Sequence, residues 1–290
     1  MTRMKLSLIA PLFCAVVSIT SVASAGAIPE DCKTGGFVVG CQAWTFNRFS
    51  AFEAVEKTAL AGAKVIEFYP GQKLRADQPD AKWDHNASDE TIAAMKEHLA
   101  KHGVRAVNYG VVSGKDEAEW RKIFEFAKKL NLYAITTEDD TKLDMIEKLV
   151  KEFDIRIAIH NHPRREKDAG YKVWDPHYVL SIVKDRDPRI GACADIGHWA
   201  TSGIKPVDAV KILKGRIVSS HFKDRLAIGK QTEDQPFGGG ISDIKGVLDE
   251  FRAMEFAGNI SIEFETKWDN NLPSVAQCVG FFRGYGGCIK

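Results

Sequence analysis

The chain has 290 residues, and its 40 Lys and Arg nearly balance its 39 Asp and Glu, so the formal net charge is +1 at pH 7. Basic and acidic residues are interleaved, and nothing predicts the basic face that nucleic-acid binding requires. The length is sufficient for one large domain or two small ones.

Residues 1–25 have the pattern of a secretory signal peptide. Arg3 and Lys5 supply the positive start, a mostly apolar stretch follows, and small residues precede a cleavage site after Ala25. The apolar stretch is short for a membrane span, so an anchor is the weaker alternative, and a lipoprotein is another. We therefore expect a periplasmic or secreted mature chain, residues 26–290, that is not held in a membrane.

Strand-like and helix-like segments alternate along the mature chain. Apolar residues in the helix-like segments recur at i, i+3 and i+4, and the first such segment begins at Ser50 and stops at Gly62. The strand-like segments are eight apolar runs, at residues 37–43, 65–69, 104–107, 133–137, 157–162, 192–198, 217–224 and 260–265. Eight such units predict a (β/α)8 TIM barrel that fills residues 26–290 as a single domain. A doubly wound sheet is the alternative, because its elements alternate in the same way.

Long insertions follow the second, fifth and seventh predicted strands, at residues 71–88, 163–175 and 226–242. In a parallel barrel they would lie on the carboxyl-terminal face, where they would form walls over a site.

Five cysteines remain in the mature chain, and an oxidising compartment would allow some of them to pair. A closed barrel brings its first and last elements together, so Cys32 could form a disulfide with Cys278 or Cys288. The odd count leaves at least one thiol free, and Cys193, in an apolar strand, is the best candidate for it.

Four of the apolar runs end in side chains that could ligate a metal ion: His160, Asp195, His221 and Glu263. Imidazoles and carboxylates are costly to bury unpaired, and a parallel barrel brings the carboxyl ends of its strands to one face. Two imidazoles and two carboxylates suit Mn²⁺, Co²⁺, Zn²⁺ or Fe²⁺ better than Mg²⁺ or Ca²⁺. The sequence therefore predicts one divalent metal site built from four consecutive strands.

These motifs resemble the xylose isomerase-like TIM-barrel superfamily, which includes sugar isomerases, ketose 3-epimerases, inosose dehydratases and endonuclease IV. The resemblance is carried by Asp195-x-x-His198, His221-Phe222-Lys223-Asp224, Ile262-Glu263 and the run Pro236-Phe237-Gly238-Gly239-Gly240-Ile241. It implies metal ligation by Asp195, His221 and Glu263. It also implies that His198 lies nearby, for substrate or for a second metal.

The chain departs from the superfamily pattern at its fifth strand. Many relatives end this strand with a glutamate that, in the epimerases, works opposite the glutamate of strand eight, whereas here His160 takes that place. A ligated imidazole is a poor base, so the symmetrical two-carboxylate mechanism is not expected. The candidates for proton transfer or charge stabilisation are Glu263, His162, Glu138 and Lys223. Glu138 could instead be a fifth ligand or a loop residue, and His162 could instead orient a neighbour.

Further polar and aromatic side chains near strand ends are candidates for binding substrate: Glu67, His198, Trp44, Tyr109 and Arg225. Aromatic rings beside a few convergent polar groups suit a carbohydrate pocket. Each of these residues taken alone could equally be a packing residue or a solvated charge.

The sequence thus predicts a divalent-metal-dependent isomerase, epimerase or lyase that acts on a sugar or ketosugar through a metal-stabilised enediolate. The expected partner is a small-molecule sugar rather than nucleic acid, and a homo-oligomer is possible. One alternative is a periplasmic barrel that binds a sugar without turning it over. A less favoured one is a phosphodiesterase like endonuclease IV, which the neutral charge and the lack of further histidines oppose.

Overall fold

The structure is a computed structural model that describes residues 28–288. The predicted signal peptide and its cleavage site therefore lie outside the described residues. In the part of the chain that is described, no helix combines the length and the apolar character that crossing a bilayer requires.

Eight parallel strands form a closed barrel. They are β1 (Phe37–Gln42), β2 (Val65–Phe68), β3 (Arg105–Tyr109), β4 (Ala134–Thr137), β5 (Arg156–His160), β6 (Ile190–Asp195), β7 (Ile217–Phe222) and β8 (Asn259–Ile262). Each strand pairs with the next, and β8 pairs with β1 with Ile260 opposite Val39. The predicted (β/α)8 TIM barrel is confirmed, because a doubly wound sheet would leave its edge strands unpaired.

Helices connect the strands. They are α1 (Ala51–Leu60), α2 (Asp89–Lys101), α3 (Glu117–Lys129), α4 (Leu143–Phe153), α5 (Pro176–Val183), α6 (Ile196–Thr201), α7 (Pro206–Ile212), α8 (Ile244–Ala253) and α9 (Leu272–Gly287). Helix α1 begins as predicted, because Ser50 and Glu53 form a reciprocal capping box. Gly62 follows its end with a positive φ of 82°, which glycine adopts without strain.

The sixth strand is shorter than the sequence predicts. It ends at Asp195, and the side chain of Asp195 accepts a hydrogen bond from the backbone N–H of His198 at 2.8 Å. Aspartate is a strong N-cap, so the chain turns directly into helix α6. His198 therefore lies on this short helix rather than on the strand.

Short antiparallel pairs lie within the first predicted insertion and at the start of the third. Gln72–Arg75 pairs with Gln78–Trp83 after β2, and Asp224–Arg225 pairs with Asp234–Gln235 after β7. These segments follow the carboxyl ends of their strands, on the face where the sequence predicts a site.

The inside of the barrel has an apolar end and a polar end. Near the amino ends of the strands, Val38, Val65, Val107, Ala134, Ala158, Cys193 and Val218 form one buried apolar cluster that also contains Cys32 and Tyr133. Inward-facing positions alternate along a strand, so Glu67 and His160 follow Val65 and Ala158 at a spacing of two residues. Polar side chains are thereby collected at the carboxyl end, above an apolar plug.

The predicted disulfide is wrong, since every cysteine among residues 28–288 is a free thiol. Cys32 packs in the apolar plug, whereas Cys278 packs from α9 into the main core and Cys288 is exposed. Burial raises the pKa of the Cys41 thiol to about 12. The partners are thus held in different packing environments, and Cys193 is free as expected.

Candidate metal centre

Four buried side chains from consecutive strands converge at the polar end of the barrel. His160 and Asp195 end β5 and β6, His221 is the next-to-last residue of β7, and Glu263 directly follows β8. One possible ligand atom from each lies within 4.8 Å of the others. The sequence-predicted ligand set is therefore brought together in one place.

The spacing of these atoms is close to that of ligands around one ion. His160 Nε2 lies 3.5 Å from Asp195 Oδ2, and His221 Nδ1 lies 3.0 Å from Glu263 Oε2 and 3.9 Å from Asp195 Oδ2. Two nitrogen or oxygen ligands at ~2.1 Å from a common ion lie roughly 3.0–3.4 Å apart. The first two separations are close to this range, and the third is longer.

The imidazole nitrogens provide the test of whether the residues fit a metal. Within residues 28–288, His160 Nε2 and His221 Nδ1 are buried and have no hydrogen-bond partner. The other nitrogen of each ring is held by a carboxylate, Glu138 Oε1 at 3.1 Å from His160 Nδ1 and Glu67 Oε2 at 3.0 Å from His221 Nε2. Metal-ligating histidines are usually oriented in this way, so the residues fit a divalent ion.

Lys223 adds a buried cation beside the same carboxylates. Its ammonium lies 2.5 Å from Asp195 Oδ2 and also contacts Glu263 Oε2. Burial alone would raise the pKa of Glu263, but Lys223 and then His221 hold it well below its ordinary value. Burial alone would lower the pKa of Lys223, but Asp195 and Glu263 raise it. The ammonium therefore keeps both carboxylates ionised and able to act as ligands.

The charges around the centre leave room for a dication. Glu67, Glu138, Asp195 and Glu263 are buried or nearly buried carboxyl groups around the two imidazoles, and the ammonium of Lys223 contacts two of them, Asp195 and Glu263. Burial opposes a charge on His160, but the nearby carboxylates of Asp195 and Glu138 raise its pKa to about 9. Without a metal, protonated imidazole supplies part of the missing positive charge, and a bound dication would supply it with the imidazoles neutral.

Glu138 holds the histidines on one side of the centre. Its Oε1 accepts from His160 Nδ1 at 3.1 Å, from His162 Nδ1 at 2.6 Å and from the hydroxyl of Tyr171 at 2.8 Å. Burial would raise the pKa of Glu138, but the hydrogen bonds and the charges of His160 and His162 together hold it well below its ordinary value. The carboxylate is thus an acceptor that fixes which nitrogens carry protons.

His162 and His198 lie between the buried centre and solvent. Their rings stack with centroids 5.0 Å apart, and the side chain of His162 is 44% exposed. His198 Nε2 lies 3.5 Å from Asp195 Oδ2, and burial lowers the pKa of His198 well below its ordinary value. Two imidazoles are therefore placed next to the ligands, one neutral and buried, the other open to a substrate.

Three predicted substrate-binding residues are turned inward. Glu67 is fully buried against His221, and Tyr109 is fully buried with its hydroxyl 3.1 Å from His85 Nδ1. Arg225 is buried too, with its guanidinium 2.9 Å from both Asp234 and Glu265. The polar groups of these side chains face other protein groups, so a role in substrate binding remains a prediction for them.

Trp44 is the predicted substrate-binding residue that does lie on the rim. The residue is 41% exposed, and its ring packs edge-on against Tyr69 and Trp268, with ring centroids 5.0 Å and 6.4 Å apart. The mouth of the barrel next to β1 thus carries an aromatic surface.

Sequence reasoning missed two residues that position the centre. The side-chain amide of Asn161 both donates to and accepts from the backbone of Asp195 at 3.0 Å, which fixes the end of β6. Tyr171 lies in the insertion after β5, where no periodicity marks it. Asn161 could have been predicted from its position next to His160, whereas nothing in the sequence around Tyr171 indicates its role.

The sequence of residues 55–284 matches the family described as the xylose isomerase-like TIM barrel. The chain belongs to this family.

Solved structures give the same fold. A putative uncharacterized protein from Parabacteroides distasonis is 31% identical, with a TM-score of 0.69, and the match covers 86% of this chain and 99% of that one. A D-tagatose 3-epimerase-like protein is 18% identical, with a TM-score of 0.67, and the match covers 87% of this chain and 97% of that one. A D-allulose 3-epimerase from Methylomonas sp. is 14% identical, with a TM-score of 0.66 and coverage of 85% and 97%. No curated protein sequence matches the chain.

Proposed function

We propose that the protein is a divalent-metal-dependent enzyme that moves a proton next to a carbonyl group of a sugar or ketosugar. The observation that carries the proposal is a pair of buried imidazole nitrogens, His160 Nε2 and His221 Nδ1. Both nitrogens lack a hydrogen-bond partner among the described residues, and both face the ionised carboxylates of Asp195 and Glu263. Family membership and the epimerases among the structural neighbours support a sugar as the substrate.

His160, Asp195, His221 and Glu263 would hold the ion, which is Mn²⁺, Co²⁺, Zn²⁺ or Fe²⁺ by the choice of ligands. When bound, the ion supplies positive charge that stabilises the negative charge developing on a substrate oxygen. Asn161 and Glu67 keep two of these ligands in place through the contacts described above.

His162 is the base that the hydrogen bonding favours. A carboxylate oxygen only accepts, so the 2.6 Å contact with Glu138 fixes the proton of His162 on Nδ1 and leaves the lone pair on Nε2. Its exposed side chain can reach a substrate at the mouth. Lys223 is placed to hold charge instead, because its ammonium is committed to two ionised carboxylates.

The reaction is expected to be asymmetric. His160 stands at the end of β5, so the two opposed carboxylates of a 3-epimerase are not both present. His162 would act as the base on one face of the substrate. In an isomerisation, one base can take the proton from one carbon and return it to the neighbouring carbon, while a proton moves between the two substrate oxygens. In an elimination, the same base takes the proton and gives it to the hydroxyl of the next carbon, which leaves as water. We therefore favour a lyase or isomerase over a 3-epimerase.

The test is exchange of substrate hydrogen with solvent. The chain is stripped with a chelator, reloaded with each of the four metals, and incubated with a panel of ketosugars in D₂O. We expect deuterium at the carbon next to the carbonyl, and we expect His162→Gln and Glu263→Gln to abolish it while Glu125→Gln, on the exposed face of α3, does not. Absence of deuterium from every sugar that binds would exclude proton abstraction.

Tight binding of a sugar without exchange would favour the alternative of a non-catalytic sugar-binding barrel. Cleavage of abasic DNA would favour the phosphodiesterase alternative, and we expect none. We also propose that residues 1–25 direct export. Amino-terminal sequencing of the protein recovered from the periplasm should then begin at Gly26.

A further inference from the structure

A second group of potential ligands lies between helices α1 and α2, away from the mouth of the barrel. His98 is on α2 and His102 caps its carboxyl end, so the two imidazoles are four residues apart on one face of the helix. Glu56 of α1 faces them. None of the three belongs to the centre formed by His160, Asp195, His221 and Glu263.

The three side chains are close enough to share an ion. One possible ligand atom from each lies within 4.8 Å of the others. His98 Nε2 is 3.6 Å from Glu56 Oε1, and the rings of His98 and His102 have centroids 4.5 Å apart. The site is reachable from solvent, because the side chain of Glu56 is 46% exposed.

His102 supplies an independent sign of a missing partner. Its Nε2 is buried, yet no hydrogen-bond partner for it exists among residues 28–288. Buried polar atoms nearly always have a partner, which can be a protein group, a water molecule or a metal ion. The His102 ring lies beside a second imidazole and a carboxylate, the combination that transition-metal ions select.

We propose that Glu56, His98 and His102 bind a divalent transition-metal ion that prefers imidazole, such as Zn²⁺, and that this ion links α1 to α2. Two histidines and one glutamate make three protein ligands, and solvent completes the shell. His98 Nε2 now donates to the carbonyl oxygen of Phe52 at 3.0 Å. The ion replaces this one hydrogen bond, and the exposed Glu56 side chain moves to complete the site.

The experiment counts metal ions on the full chain without an affinity tag. The protein is stripped with a chelator, equilibrated with Zn²⁺ at fixed free concentrations, and analysed for bound zinc by elemental analysis and titration calorimetry. The unmodified chain should bind two ions, one in the barrel and one between the helices. His102→Gln and Glu56→Gln should each weaken one of the two sites at least tenfold, and the control His177→Gln, an exposed histidine on α5, should leave both unchanged.

The outcomes separate this site from the barrel centre. Asp195→Asn should lose the barrel ion and keep the helix ion. If the unmodified chain binds a single ion and His102→Gln loses it, the result supports the helix site and contradicts the barrel site. A change in Co²⁺ absorption in Glu56→Gln would also support the helix site, and this variant does not change a buried residue. Zinc binding that is identical in the unmodified chain, His102→Gln and Glu56→Gln would overturn the proposal.

Discussion

His221 Nε2 lies 3.0 Å from Oε2 of Glu67, a residue 154 positions earlier in the chain, and both side chains are fully buried. Because the carboxylate accepts, the imidazole donates from Nε2 and directs the lone pair of Nδ1 toward Asp195 and Glu263. Ser261 donates to the same oxygen of Glu67 at 2.8 Å. Glu67 thus orients His221 within the candidate metal centre.

Glu67→Gln should weaken metal binding by about 10- to 100-fold, because an amide no longer fixes the tautomer of His221 as a carboxylate does. Competition between the protein and a chromophoric chelator measures the affinity. Glu125→Gln, which is exposed on α3, is the matched control and should bind metal like the unmodified chain. Equal affinities in the two variants would show that the contact with His221 is only structural.

Lys223→Met should destabilise the metal-free chain and increase its response to metal. The change leaves Asp195 and Glu263 buried without their ammonium partner, which costs about 3–5 kcal/mol for a broken buried pair. A dication restores the missing charge, so the rise in Tm on adding Mn²⁺ should be larger in the variant than in the unmodified protein. Urea unfolding and thermal melts measure both effects.

The control for this prediction is Lys245→Met. Lys245 pairs with Asp249 on the surface, with a side chain that is 71% exposed, so its loss should change the free energy of unfolding by less than about 1 kcal/mol. A metal-free Lys223→Met chain that is as stable as Lys245→Met would contradict the role given to the buried ammonium.

Tyr171→Phe should reduce kcat by about tenfold and change metal affinity much less. The hydroxyl donates to Glu138 Oε1 at 2.8 Å and accepts from the backbone N–H of His162 at 2.7 Å, so its loss loosens the base rather than the ligands. Deuterium exchange with a substrate and metal titration give the two numbers. Tyr178→Phe, whose hydroxyl donates to Asp140 at 2.7 Å, is the control and should affect neither. A larger fall in metal affinity than in kcat would place Tyr171 with the ligand shell.

Metal affinity should increase with pH up to about 9. The pKa of His160 is raised from its ordinary 6.5 to about 9, so the metal-free folded chain keeps a proton there that a metal ion must displace. That proton stabilises the metal-free fold below pH 6.5, and its contribution is lost as the pH rises through 9. Affinity should therefore rise by at least about tenfold per pH unit between these limits, because the pKa of His221 is also raised despite its burial and a second proton is held there. Calorimetry in buffers of different ionisation enthalpy counts the protons released, and a pH-independent affinity without release would contradict the assignment.

Arg225→Met should destabilise the insertion after β7. Its guanidinium contacts Asp234 and Glu265 and also donates to the carbonyl oxygen of Thr232 at 3.1 Å, which ties residues 226–242 to the end of β8. Leaving these carboxylates unpaired costs about 3–5 kcal/mol. Proteolysis should then cut within the insertion at a lower protease concentration, while Arg252→Met, on α8, should leave the cleavage pattern unchanged.

The strands and the ligand set could be predicted from the sequence for one reason. Strands that are buried on both faces are continuous apolar runs, and the residues that interrupt such a run are conspicuous. His160, Asp195, His221 and Glu263 each stand at such an interruption, and the alternation of helices fixes all four at the same end of the barrel. The position of His198 is harder to predict. Asp195 caps α6, so the strand ends at the first residue of the Asp195-x-x-His198 motif and His198 lies on the helix.

The sequence by itself therefore determined the barrel, the end at which its polar residues gather and the atoms that can hold an ion. The tertiary structure alone decided which partner each charged side chain around the site contacts. Glu67 meets a histidine 154 positions later, Arg225 meets a glutamate 40 positions later, and Glu138 meets a tyrosine 33 positions later in an insertion without periodicity. Such contacts depend on the closure of the barrel and the path of its loops, which no local sequence pattern encodes.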